Sequence, residues 1–425
     1  MHIRIEFILF ALILAGVAIF HKKALYFSVV GFFVILAYKL IFDPAFHLAE
    51  HFFGNVDFIE QLADPNKRVG EWGIILNLLG ILLGFGILSK IFEESGVPAI
   101  IPRILPNTWV GPMILLVLTF FLSCFLDNIA AALLGGAIAI VVFRNKVHIG
   151  YIAALVAASN AGGSGSVVGD TTTTMMWIEG VSALVVLRGF VAAFAALAVF
   201  SYFASKQQFK YQPIQPDTEN KQVKIDWLKI AVVVLILVGA IISNVYYDMP
   251  ALGVWVVILL SALVIRVPWK EMGHMTLSAI FLIGLVLSAS LMPVEELPDA
   301  SWQSAFFMGA LSAVIDNIPL TKLCLDQGFY DWGLLAYAVG FGGSMIWFGS
   351  SAGVAITSKF PEARNLISWV KNGWHVALAY VVGFAMYMLV LGWHPADSRL
   401  HKIEKATELQ EGIPGNLLGY SSYRM

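Results

Sequence analysis

Charge is what this chain has least of. Only 13% of its 425 residues are Asp, Glu, Lys or Arg, against 59% hydrophobic ones, where soluble domains carry roughly 25% charged residues. A water-soluble globular fold is thereby excluded as the main architecture. The net charge of −2 says nothing about nucleic acid, and none is expected as a partner. The two cysteines, Cys124 and Cys324, specify no disulfide and read as buried, inert thiols. No nucleophile–base pair or metal motif appears, so the chain does not read as an enzyme and no cofactor is expected.

Long apolar runs fill the space that charge leaves. Residues 230–243 and 253–265, with their flanks, fit a bilayer span of about 20 residues. The run 5–20 has little positive charge before it and Lys22-Lys23 after it. It lacks a clear small-x-small cleavage site and reads as a first membrane helix.

Basic residues set the threading. Lys22-Lys23 mark a cytoplasmic turn, 25–42 crosses outward, the mostly acidic loop 43–71 is external, and 74–90 returns. The stretch 110–143 is broken at Asp127-Asn128 and has basic residues at both ends, so it reads as a re-entrant hairpin from the cytoplasmic side. Residues 148–177 cross outward with a break at 162–170, and 181–203 returns to a lysine-bearing linker. The second half repeats this upside down: 228–245, 254–267 and 277–291 cross, and 304–326, broken at Asp316-Asn317, is a hairpin from outside. A span at 334–356, broken at 342–351, and a last one at 369–391 follow. The expected fold is an all-α polytopic membrane protein of two inverted repeats, with ten spans and two opposed hairpins. The expected domains are 1–205, a cytoplasmic linker 206–226, a second repeat 227–393 and a polar tail 394–425.

One polar pattern occurs twice within this apolar background. Asp127-Asn128-Ile129 is followed by Gly162-Gly163-Ser164 and Gly169-Asp170-Thr171; Asp316-Asn317-Ile318 is followed by Gly342-Gly343-Ser344 and Gly349-Ser350-Ser351. The Gly-Gly-Ser elements lie 180 positions apart and the Asp-Asn pairs 189. Carboxylates, amides, hydroxyls and helix-breaking glycines at matching points of two halves read as a secondary transporter. Backbone inside a bilayer must be hydrogen-bonded or line a polar cavity. The glycine breaks therefore read as unwound, ion-coordinating segments, with tight helix packing as the competing explanation.

A carboxylate at mid-membrane costs roughly 2.5–3.5 kcal/mol on insertion scales. The threading puts Asp127, Asp170 and Asp316 there, with Arg188 and Lys322 as the candidate counter-ions. Three acids against two bases leave one acid for a cation or a proton. Lys322 reads either as a counter-ion that leaves when cation enters or as a lysine snorkelling to the outer surface. Thr171 and Thr174 share a helix face, and such hard oxygens suit Na⁺ or Li⁺. Sodium is placed at Asp127, Asn128, Asp170 and Thr171. Asn160, Gly162, Gly163, Ser164, Thr174, Asn317, Ser344, Ser350 and Ser351 complete the candidate set. No role is assigned to His47, His51, His375 or His394.

At these residues the chain resembles the NhaD-type sodium/proton antiporters and their arsenite-permease relatives, in the ion transporter superfamily. The resemblance rests on Ser159-Asn160-Ala161-Gly162-Gly163 through Asp170 to Ile178, on Val314 to Pro319, and on Gly342-Gly343-Ser344 through Gly349 to Ala355. It implies two hairpins with ion ligands at their tips, elevator-like movement, a homodimer and a bacterial cytoplasmic membrane. Ala130-Ala131-Ala132 stands where that pattern has threonines, and Ser166-Val167-Val168 where it tends to have Ser-Pro-Ile. The resemblance implies exchange of Na⁺ or Li⁺ for H⁺. The alternatives are a carboxylate symporter of citrate type, whose substrate Asp127 and Asp316 would repel, and an arsenite-type efflux permease.

Overall fold

A computed structural model of the chain describes residues 4–20, 23–215 and 224–397, and every regular element among them is helical. Lys22, the middle of the 206–226 linker and the tail beyond 397 lie outside the described residues. In chain order the main helices are α1 (Ile5–Ile19), α2 (Ala24–Phe42), α3 (Trp72–Glu93), α4 (Val110–Ser123), α5 (Asn128–Val142), α6 (Ile149–Gly163), α7 (Thr171–Ile178) and α8 (Gly189–Tyr211). Then come α9 (Trp227–Tyr247), α10 (Pro250–Ser261), α11 (Lys270–Ser290), α12 (Trp302–Ser312), α13 (Asn317–Gln327), α14 (Trp332–Gly342), α15 (Ser351–Lys359) and α16 (Trp374–Val390).

Among the described residues, five helical stretches are singly long and apolar enough to cross a bilayer: α2, α3, Ala183–Tyr211, α9 and α11. Leu366–Asn372 and α16 make a sixth if counted as one span bent by 58°. Several others are too short to span about 30 Å alone at 1.5 Å per residue. Among these, α4 to α7 and α12 to α15 are short because the polar motifs interrupt them. Asp127 and Asp316 end the incoming hairpin arm and cap the outgoing one, each accepting a hydrogen bond from the N–H two residues on, Ile129 and Ile318, at 3.1 Å. The apolar surface and the long helices make this a multi-pass membrane protein.

The helices fall into two packing groups. In one, α1 packs on α2, α2 and α3 on α11, and α9 on α10 and α3. These helices show wide apolar faces, such as Val234, Leu235, Ile241 and Ile242 on α9, which suits contact with lipid. In the other, α6 and α14 are buried along nearly their whole lengths, as expected of helices apolar on every side. Two contacts recur here. The first hairpin arm packs on the first part of its own broken helix, α4 on α6 and α12 on α14. The second arm packs on the second part of the other broken helix, α5 on α15 and α13 on α7.

The 43–71 segment also carries structure that its composition does not announce: short helices at Leu48–Phe53 and Phe58–Ala63. The fully buried Gln61 amide fixes them. It donates to the carbonyls of Phe53 and Val56 and accepts from Val69 N–H and the Trp72 indole.

Candidate ion site between the hairpin tips

The two breaks bring the hairpin tips and broken helices to one point. Asp170 is its centre and is 2% exposed. It occupies the N-cap position of α7, but its carboxylate makes no capping hydrogen bond. It faces the middle of the protein instead. Asn128 Nδ2 donates to its Oδ1 at 3.1 Å, Thr172 Oγ1 to its Oδ2 at 2.8 Å, and Asn317 Nδ2 to the same oxygen at 3.4 Å. One carboxylate is thus read by both hairpin tips.

Asn160 joins the halves on the other side. Its Oδ1 accepts from Asn128 at 3.1 Å, and its Nδ2 donates to Ser344 Oγ at 2.9 Å and to Ser350 Oγ at 3.1 Å. Ser350 stands 180 positions after Asp170, yet its hydroxyl caps α15 by accepting from Gly353 N–H at 3.3 Å. The same N-cap position is spent on the helix in one half and on the centre in the other.

The second asymmetry concerns the hairpin acids. Asp316 accepts from Ser351 Oγ at 3.2 Å. The corresponding pair, Asp127 and Thr171, lines a cavity of about 40 Å³ instead, shared with Asp170, Thr174, Val168 and Ser89. This volume holds about one water-sized occupant. A larger cavity of about 490 Å³ reaches Asp316 and Ser351 from between the α1–α2 turn, α11 and α15. Ile129, Ser278 and Leu282 line both spaces.

The remaining candidates serve the backbone. Thr174 Oγ1 donates to the carbonyls of Val167 and Asp170, and Ser164 Oγ to that of Ala161. Gly162 and Gly163 allow close approach: a Cβ would overlap the Phe120 carbonyl at the first and crowd the Gly169 carbonyl at the second. The packing explanation accounts for both.

Neither candidate counter-ion pairs with these acids. Arg188 is exposed and makes no ion pair among the described residues. Lys322 does not snorkel. It is 1% exposed and its Nζ contacts Asp326 at 2.7 Å and both Glu71 and Glu179 at 3.1 Å. These acids come from α13, the segment before α3 and the end of α7. One Glu71 oxygen, Oε2, is buried without a hydrogen-bond partner among the described residues. Burial pushes the Glu71 carboxyl up to about 7 against the pull of Lys322.

Sequence reasoning missed Thr172, Glu71, Glu179 and Ser89. Thr172 was within reach, since a residue two past an N-cap Asp sits beside its carboxylate. Glu71 and Glu179 gave no signal, lying 251 and 143 positions from Lys322.

Comparison with known proteins agrees with the motifs. Sodium/proton antiporter 1 of Arabidopsis thaliana is 28% identical over 319 residues, 65% of this chain and 55% of its own length. The Na⁺/H⁺ antiporter NhaD of Alkalimonas amylolytica is 25% identical over 337 residues, 66% of this chain and 68% of its own. NhaD of Halomonas elongata is 24% identical over 334 residues, 64% and 66% respectively. The chain therefore spans little more than half of the plant relative and about two thirds of these bacterial ones. The likeness to NhaD-type proteins seen in the motifs recurs in these relatives. A family model described as "Citrate transporter" (CitMHS) matches residues 7–342, reaching from the first helix to the second Gly-Gly-Ser element, and the chain belongs to that family.

Proposed function

We propose that the chain is a secondary transporter exchanging Na⁺ or Li⁺ for H⁺ across the cytoplasmic membrane of a bacterium. The observation that carries this reading is the set of Asp127, Asp170 and Asp316 around the hairpin tips, none of which has a basic partner among the described residues. A buried carboxylate without a cation must hold a proton. An acid that holds either Na⁺ or H⁺ couples the two by competition. The relatives named as sodium/proton antiporters support the same reading.

In this reading the cation sits in the small cavity, between Asp127, Asp170 and Thr171, with Asn128 orienting Asp170. The second half carries its own version at Asp316, Asn317, Ser344, Ser350 and Ser351, there closed by direct hydrogen bonds. The contacts that recur between hairpins and broken helices support two repeats, 1–205 and 227–393, inverted about the 206–226 linker. The lysine and arginine distribution supports ten spans with the first hairpin entering from the cytoplasm and the second from outside. Homodimer formation rests on the family resemblance alone.

The family's description favours one rival, uptake of a carboxylate such as citrate. Asn128 and Asn317 are amides that could face an anion, but Asp170 already takes hydrogen bonds from both. Proteoliposomes carrying a pH dye, challenged in turn with Na⁺, Li⁺, K⁺ and citrate, separate the two. Proton movement on Na⁺ or Li⁺ addition supports antiport. A response to citrate and none to Na⁺ or Li⁺ alone overturns it.

A further inference from the structure

We infer that Ser89 is an additional ligand of the transported cation, supplied to the small cavity from the opposite packing group. The inference rests on the antiport reading above and adds to it a residue that no motif contains.

Ser89 lies on α3, one turn before its end. It lines the same cavity of about 40 Å³ as Asp127, Asp170, Thr171 and Thr174. Its Oγ is buried and has no hydrogen-bond partner among the described residues. Ser159, Ser261 and Ser288, also helical, return their proton to the carbonyl three or four residues back, to Val156, Ile258 and Gly284. Ser123 and Ser205 share with Ser89 a buried, unpaired hydroxyl, but of the three Ser89 alone lines this cavity. Ser89 makes no such bond. A buried hydroxyl left unpaired is unfavourable, and a ligand in the cavity removes the penalty.

The chemistry of the wall points to the kind of ligand. The rest of the α3 lining is Leu78, Ile81, Leu82, Phe85 and Gly86, which can neither coordinate nor hydrate an ion by their side chains. Opposite stand two carboxylates and two threonine hydroxyls. A space for about one water-sized particle, ringed by anionic and neutral oxygens, suits a single, largely dehydrated alkali cation. On this side the cavity has two hydroxyl residues, Ser89 and, from α11, Ser278; Ser89 is the one whose oxygen is buried and unpaired.

Its place in the fold gives this ligand a particular property. Asp127, Asp170, Thr171 and Thr174 belong to a hairpin tip and a broken helix, whereas α3 packs mainly on α11 and α10, and less on α9 and on α7 itself. Any displacement of one packing group against the other removes Ser89 from the ring while leaving the other four together. The full oxygen set then exists only in the arrangement described here.

The test uses purified full-length protein and its proteoliposomes, with Ser89→Ala, Ser89→Thr and wild type side by side. Two quantities are read: the Na⁺- or Li⁺-induced rise in melting temperature, and the half-saturating Na⁺ concentration for proton release. Ser89→Ala should raise the half-saturating Na⁺ about tenfold and shrink the Na⁺-induced rise, while the ion-free melting temperature stays equal or increases. Ser89→Thr should restore most of both. A purely structural serine would instead lower the ion-free melting temperature and leave the Na⁺-induced rise intact, and that result overturns the assignment. Unchanged Na⁺ affinity in Ser89→Ala, with a wild type that responds to Na⁺, sinks the Ser89 role alone. A wild type that responds to neither Na⁺ nor Li⁺ in both measurements sinks the antiport reading and this one with it.

Discussion

Gly162 and Gly342 meet the same obstacle from opposite halves of the protein. A Cβ on Gly162 would overlap the carbonyl oxygen of Phe120 on α4, and one on Gly342 the carbonyl oxygen of Gly309 on α12. Each glycine lets a broken helix lie directly on the backbone of its own hairpin. The breaks that place Asp170 and Ser350 therefore depend on contact between main chains, which leaves no room for adjustment by a side chain.

Alanine at either position should be costly. Overpacking of this kind typically costs about 1–3 kcal/mol, and here the obstacle is a carbonyl that cannot swing away. Gly162→Ala and Gly342→Ala should each lower the melting temperature of the detergent-purified protein and reduce transport. Gly73→Ala is the control, because nothing lies within 4 Å of its Cβ position. It sits in a helix, where alanine is favoured over glycine by up to about 1 kcal/mol. Equal melting temperatures for all three variants would refute this account.

Competition at Asp170 predicts a pH signature. Below the pKa of the site, apparent Na⁺ affinity should weaken about tenfold per pH unit if one proton displaces one ion. Asp170→Asn should abolish that dependence, since the amide cannot exchange a proton for Na⁺. Calorimetric titration with Na⁺ at several pH values measures it. If the dependence persists unchanged in Asp170→Asn, the shared site is at Asp127 or Asp316, and Asp127→Asn and Asp316→Asn decide between them.

Removal of the buried ammonium of Lys322 leaves Glu71, Glu179 and Asp326 facing one another. Breaking a buried ion pair from one side typically costs about 3–5 kcal/mol. Lys322→Met keeps the bulk and should be strongly destabilised at pH 8. Adding Glu71→Gln to it should recover part of the loss, because one of the repelling charges is gone. A Lys322→Met protein as stable as wild type would show the cluster to be ornamental.

Glu71 also gives the cluster a pH dependence with a defined sign. Its carboxyl is raised from 4.5 to about 7 by burial, with Lys322, Glu179 and Asp326 as the charged groups around it. The folded protein therefore binds this proton more tightly than the unfolded chain does. The stabilising contribution is full below about pH 4.5 and is lost as pH rises through about 7. In thermal scans the slope from this group is at most about 1.4 kcal/mol per pH unit. Glu71→Gln should flatten the profile between pH 5 and 7 relative to wild type; an unaltered profile would place the titration elsewhere.

What could be read in the sequence is what depends on near neighbours. The hairpin tips at Asp127 and Asp316 were legible because an Asp before an apolar run both stops one helix and caps the next. The breaks at 162–170 and 342–351 were legible from glycine clusters in otherwise apolar spans. The partners of Lys322 were not, because they converge from three distant segments. Nor was the division of labour among the threonines: Thr171 and Thr174 share a helix face, but Thr172 is the one that reaches the Asp170 carboxylate. The packing duty of Gly162 and Gly342 was hidden for the same reason, since it is owed to a hairpin some 30 to 40 residues away. Arg188 could be read as a counter-ion from sequence because nothing local marks it as exposed.

Asn160 has a further meaning for how this chain can vary. Its amide touches Asn128 from its own half and Ser344 and Ser350 from the other. A change at any one of these four positions is felt by the rest, across more than half of the chain. Neither half can drift on its own without breaking a shared network, and a fragment holding one half lacks the partners that orient its amides. Innovation in such a molecule comes in paired steps, with a substitution on one side tolerated only after its counterpart has moved.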